Sequence, residues 1–422
     1  MRRSKIAWLV CVAAMAAGPE LQFGQQFEGE LNVVHFRAPD FPVASPEFAT
    51  PVGAGGAAPV TAGPVGGARG PAPAAPVPAA TPGGPTTATS TGSAVEWIDS
   101  PPLTLESLRG KVVLIDFWEY TCINCIRTFA TNKRWRERYH RYGFEIVGVH
   151  DPEFDVAYPV SNVRQAVKRF GLPYPIVVDD QFAIWKSYNN STWPNRFLID
   201  ANGWVRFNRS GEGGDSAFEH AIQLLLKQAH PGLAFPASYT IPPEENAFAP
   251  SCGDPTPEMY VGDWYGRGIL SNPEGYHDGK TVNYSLPGSV EDGRAILGGP
   301  WHTDKNGMTY HGKRKGKNGS GDELEMRYHA RELYAVMNVS HGHASRLTIL
   351  QDGKDLTDQN KGVDVRIDPQ GHSYIEVREP RMYYLVANGA FGAHAVTLAP
   401  SPGITINSFT FGNNCQTDFP HL

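Results

Sequence analysis

Lys111-Val112-Val113-Leu114-Ile115-Asp116-Phe117-Trp118-Glu119-Tyr120-Thr121-Cys122-Ile123-Asn124-Cys125 is the stretch that decides the fold. Its first eight residues make an almost unbroken apolar run, the pattern of a strand covered on both faces. A helix signal follows at once. From Cys122 the apolar residues Ile126, Phe129, Trp135, Tyr139 and Tyr142 recur near helical spacing, while Arg127, Lys133, Arg134, Arg136, Glu137 and Arg138 populate the wet side until Gly143. The two cysteines therefore sit where a buried strand hands over to a helix.

Working outward, Phe144 to Val149 reads as a second buried strand. Val163, Val167 and Phe170 mark a second helix, with Ser161 or Asn162 as its cap and Gly171 as its stop. Pro175 to Val178 and Arg196 to Ile199 are short strands separated by a helical turn around Phe182 and Trp185. Asp200-Ala201-Asn202-Gly203 is a hairpin turn into Trp204 to Phe207, and a last helix from about Asp215 to Ala229 carries Phe218, Ile222 and Leu225 on one side. Strands alternating with helices and ending in a hairpin imply an α/β domain with a central mixed sheet.

The placement of Cys122-Ile123-Asn124-Cys125 has a chemical meaning. A thiolate at a helix N-terminus faces unpaired backbone N–H groups and the positive end of the helix dipole, which lowers its pKa from about 8.5 to between about 3.5 and 7.5. Cys122 is expected to be the exposed nucleophile, and Cys125, one turn deeper, to resolve the mixed disulfide. Competing readings are a zinc site, a purely structural disulfide and a peroxide-reducing cysteine. Zinc needs two more ligands, and no second CxxC or paired His follows at finger spacing. A peroxiredoxin-type cysteine wants Thr three residues earlier, where Glu119 stands. Trp118 and Trp193 are expected to shape an apolar floor beside the sulfurs, ordinary core packing being the other reading. Glu119 would oppose a thiolate and Arg127 would favour it.

The run from Asp116 through the CINC centre, followed by Trp193-Pro194 before a strand, resembles the thioredoxin superfamily, and more narrowly its exported TlpA-like members. Ser100 to Leu105, His150-Asp151-Pro152-Glu153-Phe154, Asn190-Ser191-Thr192-Trp193-Pro194 and Gly211-Glu212-Gly213 are closer still to the soluble C-terminal region of DipZ-type disulfide reductases, and the resemblance covers roughly residues 95 to 412. It implies that Pro194 is a cis-proline whose loop, with Thr192 and Trp193, meets an extended substrate segment. It also implies that Asp116 is a buried carboxylate assisting deprotonation of Cys125. A desolvated carboxyl near a thiol suits proton transfer because burial raises its pKa.

From about Cys252 the helical periods vanish. Short alternating runs appear at Leu324 to Tyr328, Leu333 to Met337, Arg346 to Leu350, Val363 to Ile367, Tyr374 to Val377, Tyr383 to Val386, Ala395 to Leu398 and Ile404 to Ile406. Gly, Asn or Asp stand between them, the signature of a β-sandwich or jelly roll. This region, too, resembles the DipZ tail, in Pro255-Thr256-Pro257-Glu258-Met259-Tyr260-Val261-Gly262 and Phe409-Thr410-Phe411-Gly412, and looks like a carbohydrate-binding module. Trp264, Tyr265, Trp301 and Tyr310 are its candidates for stacking on sugar rings, core packing being the alternative. His302, His311, His341 and His343 raise a metal site, but their loop composition and spacing argue against one.

Gly and Pro number 45 and 35 of the 422 residues, nearly a fifth, and the surplus gathers between about Thr50 and Gly92. That stretch has too few large apolar side chains to offset the entropy of ordering. A formal net charge of −6 argues against a nucleic-acid binder. The one basic cluster, Lys313-Arg314-Lys315-Gly316-Lys317, lies among Gly and Asn and reads as a solvated loop. Arg2, Arg3 and Lys5 precede an apolar run from Ile6 to Ala17, with Ala14-Met15-Ala16 at cleavage spacing, which predicts an export signal and a periplasmic or secreted protein. Lipidation at Cys11 is disfavoured because Trp8-Leu9-Val10 lacks the small residues such processing prefers. Cleavage would leave four cysteines: Cys122 paired with Cys125 by spacing, and Cys252 with Cys415 as candidate partners.

The expected layout is a leader over 1–18, a disordered linker over 19–94, a thioredoxin-like domain over 95–235 and a β-sandwich over 252–415. Within the linker, Leu31 to Phe36 reads as a strand or a docking peptide. The expected activity is exchange of disulfides with protein thiols, with no cofactor beyond the cysteine pair and with an external donor or acceptor, such as a membrane reductase, to recharge it. The rival is a glycan- or cell-wall-binding protein whose CxxC only stiffens its domain. A thioredoxin dedicated to cytochrome c maturation is a third reading.

Overall fold

The computed structural model describes residues 36–41, 95–239, 253–262, 269–312, 322–340 and 342–412. The expected leader, most of the expected linker, Cys252, Cys415, Trp264, Tyr265, His341 and the Lys313–Lys317 cluster lie outside them.

The first domain comprises β1 (Phe36–Arg37), β2 (Glu96–Ile98), β3 (Val112–Trp118), α1 (Ile123–Tyr139), β4 (Phe144–His150), α2 (Val160–Phe170), β5 (Ile176–Val178), α3 (Ala183–Ser187), β6 (Asn195–Ile199), β7 (Trp204–Ser210) and α4 (Asp215–Ala229). The sheet order is β1-β7-β6-β3-β4-β5-β2, with β3, β4 and β5 parallel and the remaining neighbours antiparallel. This is a thioredoxin fold. Every residue of β3 and β4 is buried, as expected for strands at the centre of a sheet covered on both faces. Gly143 and Gly171 end their helical segments with φ of 89° and 57°, a left-handed conformation that glycine adopts without a Cβ clash.

Two sequence expectations change here. The second helix is capped by Pro159, not by Ser161 or Asn162, and Asn162 spends its amide on the Val156 carbonyl at 2.8 Å. A piece of the expected linker is ordered: Phe36 registers with Val205, Phe41 packs edge-to-face on Trp97, and Asp40 accepts from the Leu105 N–H at 2.8 Å. Two phenylalanines and a capping carboxylate supply what the surrounding Pro/Ala/Gly composition lacks.

The second domain is built of strands that pair antiparallel: β8 (Met259–Tyr260), β9 (Lys280–Tyr284), β10 (Ala295–Leu297), β11 (Gly299–Thr303), β12 (Met308–Tyr310), β13 (Leu324–Val339), β14 (Ser345–Gln351), β15 (Lys354–Asp355), β16 (Val365–Ile367), β17 (Ser373–Val377), β18 (Arg381–Pro400) and β19 (Ile404–Gly412). The main path runs β16-β17-β14-β18-β13-β19-β12-β11-β9 and folds over one core that includes Trp301, Tyr310, Met326, Leu333, Leu398 and Phe409. Two pairs of predicted short strands are each one long strand. β13 continues through Arg331 because the side chain is turned to the Asn388 carbonyl, and the β13–β18 register shifts between Ala330 and Glu332 instead of breaking.

Candidate redox site

Cys122 is the N-cap of α1, with φ −75° and ψ 110°, and its sulfur accepts from the Cys125 N–H at 3.3 Å. The Cys125 thiol lies 2.7 Å from the Cys122 sulfur. Cys122 is half-buried and Cys125 fully buried. Both are free cysteines here, with their sulfurs in reach of one another. The expected acidic Cys122 is not what the surroundings produce. Burial pushes its thiol up, Glu153 and Glu258 add to that, and the hydrogen bonds from Cys125 pull only partly the other way. A helix terminus contributes about 0.3–1 kcal/mol, whereas desolvating an unpaired charge costs several times more, so burial wins. Cys125 is driven further up, first by burial, then by Cys122, with Asp116 adding to the effect.

Asp116, at the middle of β3, is fully buried. One carboxylate oxygen accepts from the Asn132 amide at 2.8 Å; the other has no hydrogen-bond partner among the described residues. Burial raises its pKa to about 7, although Arg196 and the Asn132 bond both lower it. Arg196 is itself sealed in the core, paired with Asp215 at 3.0 Å and donating to the Gly213 carbonyl at 2.8 Å.

Trp118 is not a floor for substrate. It is fully buried, its ring edge-on to Phe129 and His150. Thr192 and Trp193 are half-buried, and Trp193 rests on the same core cluster as Cys122, its ring 4.5 Å from that of Trp185. The Trp193–Pro194 bond is cis, and the Pro194 carbonyl accepts from the Gly211 N–H at 2.8 Å.

The charge balance around the cysteines differs from the sequence expectation. Glu119 is buried, accepting from the Thr121 N–H at 2.6 Å and from its hydroxyl, with His150 3.8 Å away. Arg127 is committed to Glu212 and Glu332, each at 3.5 Å, and so does not answer Glu119. The acids that bear on Cys122 are Glu153, just past β4, and Glu258, in the second domain. Sequence reasoning assigns a role to neither, although both stand in stretches that carry the family resemblance.

The two domains belong to one compact unit, and the second packs beside the cysteines. Ile123 is buried under Tyr334 and Tyr384, whose rings stack at 4.4 Å, and Phe154 packs with Tyr260 and Val336. A cleft of about 400 Å³ opens at this junction, lined by Tyr120, Ile126, Phe170, Met382 and Tyr384, with Arg169 and Arg381 among its charged residues.

The sugar-stacking candidates fare poorly. Trp301 and Tyr310 are 0% and 1% exposed, so neither ring face is open to a ligand. The His302 and His311 rings lie 5.6 Å apart, and no group of three metal-type side chains is present among the described residues. No described helix is long and apolar enough to cross a membrane.

Residues 95–208 match the AhpC/TSA family model, and residues 256–412 match the model of the thioredoxin-like C-terminal domain. Two stretches of the chain are thus similar to thioredoxin-related domains, one on each side of residues 209–255. Protein DipZ of Mycobacterium bovis is 32% identical over 320 residues, which cover 75% of this chain and 41% of DipZ. The thiol-disulfide oxidoreductase ResA of Geobacillus kaustophilus is 36% identical over 102 residues, 24% of this chain and 56% of ResA. The chain thus spans about two fifths of DipZ and little more than half of ResA. Among solved structures, a thiol:disulfide interchange protein of the thioredoxin family from Chlorobium tepidum is 23% identical with a TM-score of 0.28, covering 30% of this chain and 88% of that one.

Proposed function

We propose that this protein is an extracytoplasmic thiol:disulfide oxidoreductase that exchanges disulfides with protein thiols through Cys122 and Cys125. The observation that carries the reading is the stacked pair at the start of α1: a half-buried cysteine at the helix cap with a second, fully buried cysteine whose sulfur lies 2.7 Å from its own. An outer sulfur reaches a substrate; an inner one meets only the outer. Cys122 attacks a substrate disulfide, and Cys125 then attacks the Cys122 sulfur, releasing the reduced substrate. Asp116, poised near neutrality by burial, is suited to take the proton from Cys125. Half-buried Thr192 and Trp193, beside the buried Pro194, are the surface offered to an extended substrate segment. The basic and apolar start of the sequence supports the location, and an external dithiol or disulfide protein would recharge the pair.

The test is dithiothreitol-driven reduction of insulin by the full chain. Turnover is expected in the natural protein and its loss in Cys122→Ser; unchanged turnover in that variant would overturn the reading.

A further inference from the structure

Tyr260, in β8 of the second domain, is almost fully buried, and its hydroxyl donates to Glu153 of the first domain at 2.5 Å while lying 3.4 Å from Glu258. Glu258 is held from the other side by the Thr410 hydroxyl at 3.0 Å. Two carboxyl groups from different domains therefore converge on one phenol. The neighbourhood is that of the cysteines. Asp151 donates its N–H to the Trp118 carbonyl at 3.2 Å, tying the segment that carries Glu153 to the end of the strand leading into Cys122. Met382 touches the Phe154–Tyr260–Val336 cluster, the Ile123–Tyr334–Tyr384 cluster and the core on which Cys122 rests.

We propose that Glu258 is a positioning residue of the redox site: held by Tyr260, it completes with Glu153 an acid pair that opposes thiolate formation at Cys122 and sets the cysteine couple toward the reducing end. The inference rests on the redox reading above. Among the described residues, the other titratable groups facing this place are Glu119 with His150, and Cys125 with Asp116 behind it; Arg127 is paired with Glu212 and Glu332. Like charges this close resist joint ionisation, and burial, Glu258 and Glu119 all push the Glu153 carboxyl well up. A couple whose reduced form gains from a stabilised thiolate is a strong oxidant; withdrawing that gain makes it a reductant. In the favoured direction Cys122 attacks one sulfur of a substrate disulfide and the substrate S–S bond breaks. Cys125 then attacks Cys122, closing the Cys122–Cys125 bond and releasing the second substrate sulfur. Two electrons pass to the substrate, and the two cysteine protons end on its two thiols.

The experiment uses the full chain in a Cys125→Ser background, with iodoacetamide alkylation of Cys122 followed against pH by the mass of the peptide that carries it. Glu258→Gln is expected to move the alkylation midpoint to lower pH. With Cys125 restored, equilibration of Glu258→Gln against glutathione is expected to favour the dithiol by about tenfold more, a shift of about 30 mV. Should Glu258→Gln melt early, Glu258→Asp, which draws the charge back by one methylene, replaces it and must move the midpoint the same way. A folded Glu258 variant with an unmoved midpoint or an unmoved glutathione equilibrium overturns the proposal. Alkylation requires only a thiol, so this result stands apart from whether the natural chain reduces insulin.

Discussion

Glu332 of β13 and Arg127 of α1 meet at 3.5 Å across the domain junction, and the same carboxylate accepts hydrogen bonds from Tyr334 at 3.1 Å and Tyr384 at 2.8 Å. Both ionic side chains are nearly buried, at 11% and 9% exposure, and Ile123 lies under the two tyrosine rings. Removing one partner of such a pair leaves a desolvated charge and two orphaned hydroxyls. Glu332→Ala is therefore expected to cost about 2–4 kcal/mol in urea unfolding, somewhat softened because Arg127 keeps Glu212. Glu332→Gln, which retains an acceptor for the tyrosines, should cost less. A double-mutant cycle with Arg127→Ala should show coupling of at least about 1 kcal/mol; simple additivity would mean that the junction is not held by this pair.

Cys125 is sealed beneath Cys122, so its substitution leaves the outer sulfur free to form mixed disulfides that nothing within the chain can resolve. Cys125→Ser expressed in cells should accumulate covalent adducts that dithiothreitol releases, and Cys122→Ser should accumulate none. Equal adduct levels in the two variants would contradict the order of attack.

The fully buried Trp301 donates its indole N–H to the Gly298 carbonyl at 2.9 Å and packs against Tyr310 in the core of the second domain. Trp301→Ala should lower stability by about 3–5 kcal/mol, the usual cost of truncating a core tryptophan. A variant that melts like the natural protein while losing affinity for a polysaccharide would reverse that assignment and restore a sugar-stacking role.

What can be read without coordinates follows from periodicity. Residues 111–118 and 144–149 are continuous apolar runs, which sheet burial demands, and β3 and β4 occupy nearly those bounds. The helix after Cys122 shows because its wet face is crowded with Arg and Lys. The strands at Lys280–Tyr284 and Gly299–Thr303 escape such a reading because Gly, Pro, Asn and His interrupt their alternation, and only pairing with neighbours keeps them extended. The site divides in the same way. Cys122 and Cys125 are visible together at one strand–helix handover, and the family resemblance adds Asp116 to them. Glu258 is brought to Glu153 by tertiary packing alone, and Trp118 sits in a run whose alternation cannot say which side chains remain open to solvent. The acidity expected of Cys122 fails because the helix terminus is written in the local sequence, whereas the burial that overrides it is not.

Asp116 provides a prediction whose sign is set by linkage. Its carboxyl rises from an ordinary 3.8 to about 7 through burial, so the folded protein binds a proton there that the unfolded chain has already released across that interval. Stability therefore falls as pH climbs from about 4 through 7, and a rise of this size corresponds to roughly 4 kcal/mol by the end of the window. Asp116→Asn keeps the shape and a hydrogen bond to Asn132 but carries no charge to desolvate. It should remove this decline, leaving the variant more stable than the natural protein above pH 7 and close to it near pH 4. Urea midpoints measured across that range provide the check. A natural protein whose stability rises with pH there, or an Asp116→Asn variant with the same slope, would show that the carboxylate finds compensation in the fold. In that case Asp116 would already be ionised below neutrality, and its suitability as the base for Cys125 would rest on proximity alone.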